Sequence, residues 1–392
     1  MPESPIRKLA PLAVAAKQRG TKVYHLNIGQ PDLPTPQVAL DALKHIDRKT
    51  LEYSPSQGYQ WYLDRLAGYY QKVGIDVTAN DIIVTTGGSE AVLFSFLSCF
   101  DPGDEVILLE PAYANYISFA QTAGVKIRTI TSKIEDGFRL PPMEQFKEHI
   151  NEHTRAILIC NPNNPTGYVY TKEEMLQLRD IVKQHDLFLF SDEVYREYVY
   201  SEEPHVSALN LEGIEQNVII IDSVSKRYSE CGIRIGALVT KNEEVRKTVL
   251  KFAQARLSPP LLGQIVANAS LDTPDQYMKD MFDEYIERRN CLIEGLNRIP
   301  GVFSPMPMGA FYTVARLPVD SAEEFCRWCL SEFSYEGETV MMAPAAGFYT
   351  TPGAGKDEVR IAYVLKKDDL KRALIVLEKA LEAYPGHILE NK

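Results

Sequence analysis

Through the middle of the chain, short apolar runs alternate with longer stretches whose apolar positions recur every three to four residues. The runs at 82–85, 105–109, 126–130, 156–160, 187–190, 218–221 and 237–240 read as strands. Several are apolar throughout, as strands buried on both faces are. Helical patterns fill gaps between them at 89–99, 113–123 and 172–185. Thr171, followed by Lys172, Glu173 and Glu174, gives the last of these an N-cap and an acidic first turn. Such alternation predicts an α/β fold built on a mostly parallel sheet. After about residue 290 the pattern becomes helix–strand–helix, with strands near 311–315 and 358–364. The first 45 residues, carrying Pro31, Pro34 and Pro36, also stand outside the central alternation. The expected organisation is a large domain over 46–290 and a smaller α/β domain assembled from both ends, 1–45 and 291–392.

Composition narrows the classes of function. The net charge of −11 disfavours nonspecific binding to nucleic acid or anionic membrane, so an anionic ligand needs a local cationic pocket. The N-terminus lacks a basic-then-apolar signal pattern, and no apolar run approaches the ~18 residues of a membrane span. Six cysteines in 392 residues do not make a disulfide framework, and a cytoplasmic location is the simplest expectation. Cys326 and Cys329 form a C-x-x-C, but no second pair or nearby histidine completes a zinc set. They read as packing residues of an amphipathic helix that faces Phe325, Trp328, Cys329 and Phe333 inward. His149 and His153 have i,i+4 spacing, yet Lys147, Glu148 and Glu152 around them make a solvated helix surface the better reading. No metal site is expected.

In open α/β sheets ligands collect beyond the carboxyl ends of strands, and there the sequence concentrates its chemistry. After the run at 218–221 comes DSVSKRYSECGIRIG, in which Lys226 is flanked by Ser223 and Ser225, with Arg234 and two glycines following. Hydroxyls, an amine and a guanidinium around tight turns can hold a phosphate dianion while offering the amine to an aldehyde. The run at 187–190 leads into SDEVY, where a buried Asp192 needs a cationic partner and Tyr195 lies close by. The two can converge on one heterocycle; alternatively Asp192 caps a helix and Tyr195 merely packs. NPNNPTG (161–167) enforces a particular loop, whose Asn-Pro steps admit a cis bond, and Asn164 offers both a donor and an acceptor. Gly87, Gly88 and Ser89 let backbone N–H groups approach an anion at a helix start.

In the order in which these motifs occur, the chain resembles the class I aminotransferases of pyridoxal phosphate (PLP) fold type I. The resemblance runs through HLNIGQPD (25–32), EYSPSQG (52–58), TTGGSEA, EPAYANY (110–116), NPNNPTG, SDEVY, SVSKRYSECGIRIG, APAAGFY (343–349) and VRIAY (359–363). It implies that Lys226 is the Schiff-base lysine and proton shuttle. Asp192 would pair with the pyridine nitrogen, and Tyr195 and Asn164 would bind the ring's phenolic oxygen. Tyr113 would stack on the ring, while Gly88, Ser89, Ser223, Ser225 and Arg234 hold the phosphate. Tyr53 matches a residue that reaches the phosphate of the partner subunit, implying a homodimer. Gly29, Asn164 and Arg360 match substrate contacts, Arg360 forming a bidentate pair with the α-carboxylate.

The implied activity is transfer of an amino group from an L-amino acid to a 2-oxo acid in two ping-pong half-reactions, with aspartate and 2-oxoglutarate as first expectation. Ser89 stands where some prokaryotic aspartate aminotransferases carry a lysine for the distal carboxylate, which removes one support for a dicarboxylic donor. Arg227 and Arg256 are other cations near the motifs. C–S lyases and ACC synthases share the same lysine, aspartate and arginine, and some transcription regulators reuse the fold as a ligand sensor.

Overall fold

The computed structural model describes residues 4–388. In chain order the strands are β1 (Lys22–His25), β2 (Ile82–Thr85), β3 (Glu105–Glu110), β4 (Lys126–Thr131), β5 (Thr154–Cys160) and β6 (Phe188–Asp192). They continue as β7 (Val218–Ser223), β8 (Gly236–Val239), β9 (Tyr312–Arg316), β10 (Glu338–Met341), β11 (Ala343–Pro344) and β12 (Glu358–Ala362). The central sheet has the order β2-β8-β7-β6-β5-β3-β4. The pairs from β7 through β4 are parallel, and β8 is antiparallel to both β7 and β2. Two reversals leave β2 pointing with the parallel set. The carboxyl ends of β2, β3, β5, β6 and β7 therefore open on one edge of the sheet, and the loops that leave them share that edge.

Period-two alternation sends neighbouring residues of each strand to opposite cores. Val106, Leu108, Leu158 and Phe190 enter one, while Ile107, Leu109, Ile157 and Leu189 enter the other. Both faces are thus apolar, which is why these strands read as unbroken runs. β4 is the exception: its Lys126 and Arg128 lie on the outer strand, where charge discourages further pairing.

Four of the predicted strands end later than their apolar runs, β3 and β4 by one residue and β6 and β7 by two. β6 extends to Asp192 and β7 to Ser223, so both polar residues belong to strands and take their direction from the pleat. No helix follows β6 directly, which removes the capping reading of Asp192. The helix expected at 113–123 begins only at Asn115, leaving Tyr113 in the preceding turn. The helix Met143–His149 stops at His149, so His153 lies beyond it in a turn and the two histidines do not share a helix face. In the helix Ala322–Ser331, Cys326 joins Phe325 and Cys329 in the core, and Trp328 is only partly covered.

Two small sheets complete the architecture. β11, β12 and β9 form an antiparallel sheet, and β1 pairs in parallel with β10. That second pairing ties the start of the chain to a segment more than 300 residues away. Neither four-residue strand has a pattern of its own. Among the described residues no helix is long and apolar enough to cross a membrane.

Candidate active site

β7 delivers Ser223 at its end, and the chain turns at once into the short helix Val224–Arg227 that carries Lys226. Tyr198 Oη donates to the Lys226 carbonyl at 2.7 Å and pins this turn. Lys226 Nζ donates to the Gly29 carbonyl at 2.9 Å and lies 3.7 Å from Cys231 Sγ. The hydroxyls of Ser223 and Ser225 are 2.7 Å apart. Arg234 takes a left-handed conformation, φ 57°, which turns its guanidinium back towards Gly87.

The glycines here are required by space. A Cβ on Gly87 would lie 2.3 Å from the Arg234 guanidinium, and φ there is 75°. One on Gly236 would lie 2.5–2.7 Å from the Gly87–Gly88 backbone. Their absence opens a cradle between the start of the helix Gly88–Cys99 and the Lys226 loop. Its lining of free helix N–H groups, serine hydroxyls and a guanidinium is the donor set a phosphate needs.

Asp192, at the end of β6, is 7% exposed and has no cationic partner among the described residues. Burial pushes its pKa up to about 6, against the hydrogen bond from Tyr116 Oη at 2.6 Å. Tyr195 is buried beside it. Asn164 Nδ2 approaches the Tyr195 hydroxyl at 3.5 Å, and the Tyr312 hydroxyl stands 3.1 Å from it. Asn164 sits in the loop after β5, shaped by the cis Asn161–Pro162 bond, and its Oδ1 accepts from Arg360 Nη1 at 3.2 Å.

Arg360 comes from β12, in a different sheet, and is 1% exposed. One guanidinium N–H donates to the Asn27 carbonyl, Nε has no partner, and the group lies 4.7 Å over the Tyr312 ring and 5.1 Å over Phe348. Burial lowers its pKa, and no carboxylate within the described residues pairs with it. Gly29 is fixed by the same packing, since a Cβ there would coincide with the Tyr312 hydroxyl.

Gly29, Asn164, Asp192, Tyr195, Lys226 and Arg360 are thus gathered by direct contacts or one shared neighbour, and Gly88, Ser89, Ser223, Ser225 and Arg234 line the adjoining cradle. Tyr113 reaches the same pocket, packed edge-on against Tyr116 with ring centroids 5.3 Å apart. Tyr53 does not join them: it is 78% exposed. Arg227 and Arg256 are both engaged by acids. Arg227 bonds Asp222 and Glu197, and Arg256 bonds Glu90. Three residues that the motif reading passed over, Tyr116, Cys231 and Tyr312, touch the site. Tyr116 and Cys231 lay within the motifs EPAYANY and SVSKRYSECGIRIG; Tyr312 had no local signal.

The family model for aminotransferases of class I and II matches residues 21–377. The chain belongs to that family. This aminotransferase is 31% identical to an aspartate aminotransferase of Pyrococcus horikoshii, over 92% of its own length and 91% of the relative's. It is 30% identical to aromatic-amino-acid aminotransferase 2 of Thermococcus litoralis, over 97% and 96%. The aspartate aminotransferase of Thermus thermophilus, solved with maleate, superposes with a TM-score of 0.88 at 27% identity, covering 97% of each chain. The family generally uses PLP. The aminotransferase's site fits that group on its own evidence: a phosphate cradle that a Cβ would fill, an amine, and a buried carboxylate lacking a cation.

The unpaired carboxylate makes a prediction about the cofactor-free protein. The folded pKa of Asp192, about 6, lies above the unfolded value of about 3.9. As pH rises from about 4 to about 6 the unfolded chain ionises this group first, so stability falls and stays lower above pH 6. The loss is about 2–3 kcal/mol. Asp192→Asn should abolish it, so the cofactor-free variant should melt above wild type at pH 7.5 and level with it at pH 4. Thermal melts of both proteins across that range check this, and identical melting curves at pH 7.5 would refute the buried, unpaired carboxylate.

Proposed function

We propose that this aminotransferase binds pyridoxal phosphate and moves the amino group of an L-amino acid, aspartate foremost, to a 2-oxo acid such as 2-oxoglutarate. The observation that carries this reading is a pair of opposite buried charges, Asp192 and Arg360, held in one pocket without protein counter-ions. A ligand pair bearing a protonated ring nitrogen and an α-carboxylate satisfies both. When bound, pyridoxal phosphate supplies the electron sink for the charge left as a Cα proton departs.

The chain's residues do the rest. Asp192 keeps the ring nitrogen protonated. Tyr195 and Asn164 hold the phenolic oxygen, and Tyr113 covers the ring face. Gly88, Ser89, Ser223, Ser225 and Arg234 grip the phosphate. Lys226 Nζ would hold the cofactor and serve as the base that accepts the proton leaving the substrate Cα. Arg360 orients the substrate by its α-carboxylate, with Asn164 and Gly29 at its side. The site is completed in a homodimer, in which the exposed Tyr53 of each subunit reaches the phosphate bound by the other.

Relatives named for aspartate and for aromatic donors match about equally well, so the donor must be argued from this chain. Two cations considered from the sequence, Arg227 and Arg256, are neutralised by acids and do not serve a substrate carboxylate. Arg7 is exposed and has no acidic partner among the described residues, whereas Lys8 beside it pairs with Glu323. Its turn packs on the site: the Ile6 carbonyl accepts from Asn27 Nδ2 at 2.9 Å, and Pro5 presses on Gly347. Burial pushes the Tyr113 phenol up to about 12, with Arg360 and Arg7 pulling the other way. Arg7 is thus a cation near Tyr113, without an acidic partner among the described residues, that is available to a distal carboxylate.

Borohydride treatment of the yellow holoenzyme should fix the cofactor on the peptide containing Lys226, and Lys226→Ala should lose transamination by several orders of magnitude. Peptide mapping decides, and label on another lysine removes the assignment. Donor specificity should separate two arginines. Arg360→Ala should lower kcat/KM roughly a hundredfold or more for acidic, aromatic and small donors alike, with little recovery by Arg360→Lys. Arg7→Ala should penalise aspartate and glutamate and spare alanine and phenylalanine. Equal losses across donors for Arg7→Ala would end the dicarboxylate reading while leaving the chemistry intact.

A further inference from the structure

We propose that Arg227 is a positioning residue: it holds the turn that carries Lys226 against the turn that carries Tyr195, and so sets where the base meets the substrate Cα. The inference rests on the pyridoxal phosphate reading above, in which Lys226 accepts the Cα proton.

β6 and β7 pair in parallel as far as Asp192 and Ile221, and the Glu193 N–H donating to the Ile221 carbonyl at 2.9 Å is the last backbone bond between them. Tyr195 and Lys226 both lie beyond that point, Tyr195 in the turn 194–197 and Lys226 in a helix of four residues. Among the described residues no backbone bond joins the two turns. Their relative position is left to side chains. Tyr198 Oη donates to the Lys226 carbonyl, Arg196 Nη1 reaches Asp222 at 3.4 Å, and Arg227 Nε donates to Glu197 Oε1 at 2.6 Å.

Arg227 is fully buried and grips both sides. Its Nη2 donates to the two Asp222 oxygens at 2.9 and 2.8 Å, while Nε serves Glu197 in the Tyr195 turn. Asp222 also accepts the Ser223 N–H at 2.8 Å, next to the phosphate cradle. The guanidinium lies 4.1 Å over the ring of Tyr69, whose hydroxyl donates to the same Glu197. A planar fork can meet two carboxylates and a ring at once, which a point-charge ammonium cannot. Consecutive side chains on a helix turn diverge by about 100°, so Lys226 faces Gly29 while Arg227 faces the buried acids. Anchoring one orients the other.

Two variants test this. Arg227→Lys keeps the charge and loses the fork, while Glu197→Ala cuts the same link from the other turn and leaves Arg227 on Asp222. In the cofactor-free proteins, amide hydrogen exchange should quicken about tenfold or more across 224–230 while β5, β6 and β7 keep their protection. In the pyridoxal phosphate-loaded proteins, single turnovers with the fastest of aspartate, phenylalanine and alanine are counted per loaded site. The rate should fall about fivefold or more, with a Cα-deuterium isotope effect no smaller than wild type's and substrate affinity within about twofold, since Arg360 is untouched. In the double variant the losses should not multiply, because one link is broken once. A merely structural role would quicken exchange in strands and turn alike and leave the rate per loaded site unchanged. Either of those results, a smaller fall in rate, a diminished isotope effect, weakened substrate affinity or multiplying losses overturns the inference alone. If Arg227→Lys does not fold, Glu197→Ala decides. A wild-type protein that takes up no pyridoxal phosphate overturns the functional reading and this inference with it.

Discussion

The organising constraint of this molecule is the separation of two buried, oppositely charged side chains that the protein declines to pair. Asp192 and Arg360 each forgo a counter-ion in surroundings where an unpaired charge is costly. Several other buried charges are treated differently. Asp222 is bonded by Arg227, Arg196 and Tyr70, and although burial would raise its pKa the two guanidiniums outweigh it and hold it below the usual range. Glu193 takes Arg196, two serines and a backbone N–H. Arg288 bridges Asp32 and Glu284. Glu110 and Glu230 also lie buried without a cation, each held by hydroxyl donors; what sets Asp192 and Arg360 apart is that two opposite uncompensated charges share one pocket.

The scaffold keeps the two apart by putting them on different sheets. Asp192 ends a strand of the central sheet, whereas Arg360 lies in the antiparallel sheet of β9, β11 and β12. There the register sets Arg360 opposite Val314 and Ala362 opposite Tyr312. Tyr312 and Arg360 are therefore diagonal neighbours on one face, close enough for the cation to rest on the ring. The tyrosine also keeps Gly29 free of a side chain, which leaves the Gly29 carbonyl open to Lys226. One register thus fixes the guanidinium and, through a carbonyl, the resting place of the amine.

Much of this could be read from the chain. The apolar runs announced the central sheet because both of its faces are buried, and the loops after those runs carried Lys226, Asp192, Asn164 and the glycines in recognisable groupings. What escaped had no local pattern. Strands β1 and β10 are four residues each and gain their identity only from pairing across the length of the chain. Tyr312 looked like one aromatic among many, since its importance lies in meeting Gly29 and Arg360, which are far away in sequence. The reach of β6 to Asp192 was hidden because a polar residue closes an apolar run whether or not the strand continues. Arg227 and Arg256 looked available because their acidic partners come from other segments.

The same geometry explains why the class of reaction is easier to read than the donor. Every amino-acid substrate presents an α-carboxylate and a Cα–H bond, and the groups proposed to meet them, Arg360 and Lys226, stand on a strand and just after a strand end. A side chain, by contrast, projects towards whatever borders the mouth. In the proposed reading that border is the turn of residues 4–9, held by contacts of Pro5 and Ile6 but leaving Arg7 outward. A substitution at such a position alters no buried charge, no strand register and no glycine contact. Relatives named for aspartate and for aromatic amino acids match this chain at nearly the same identity, so overall likeness does not separate the donors.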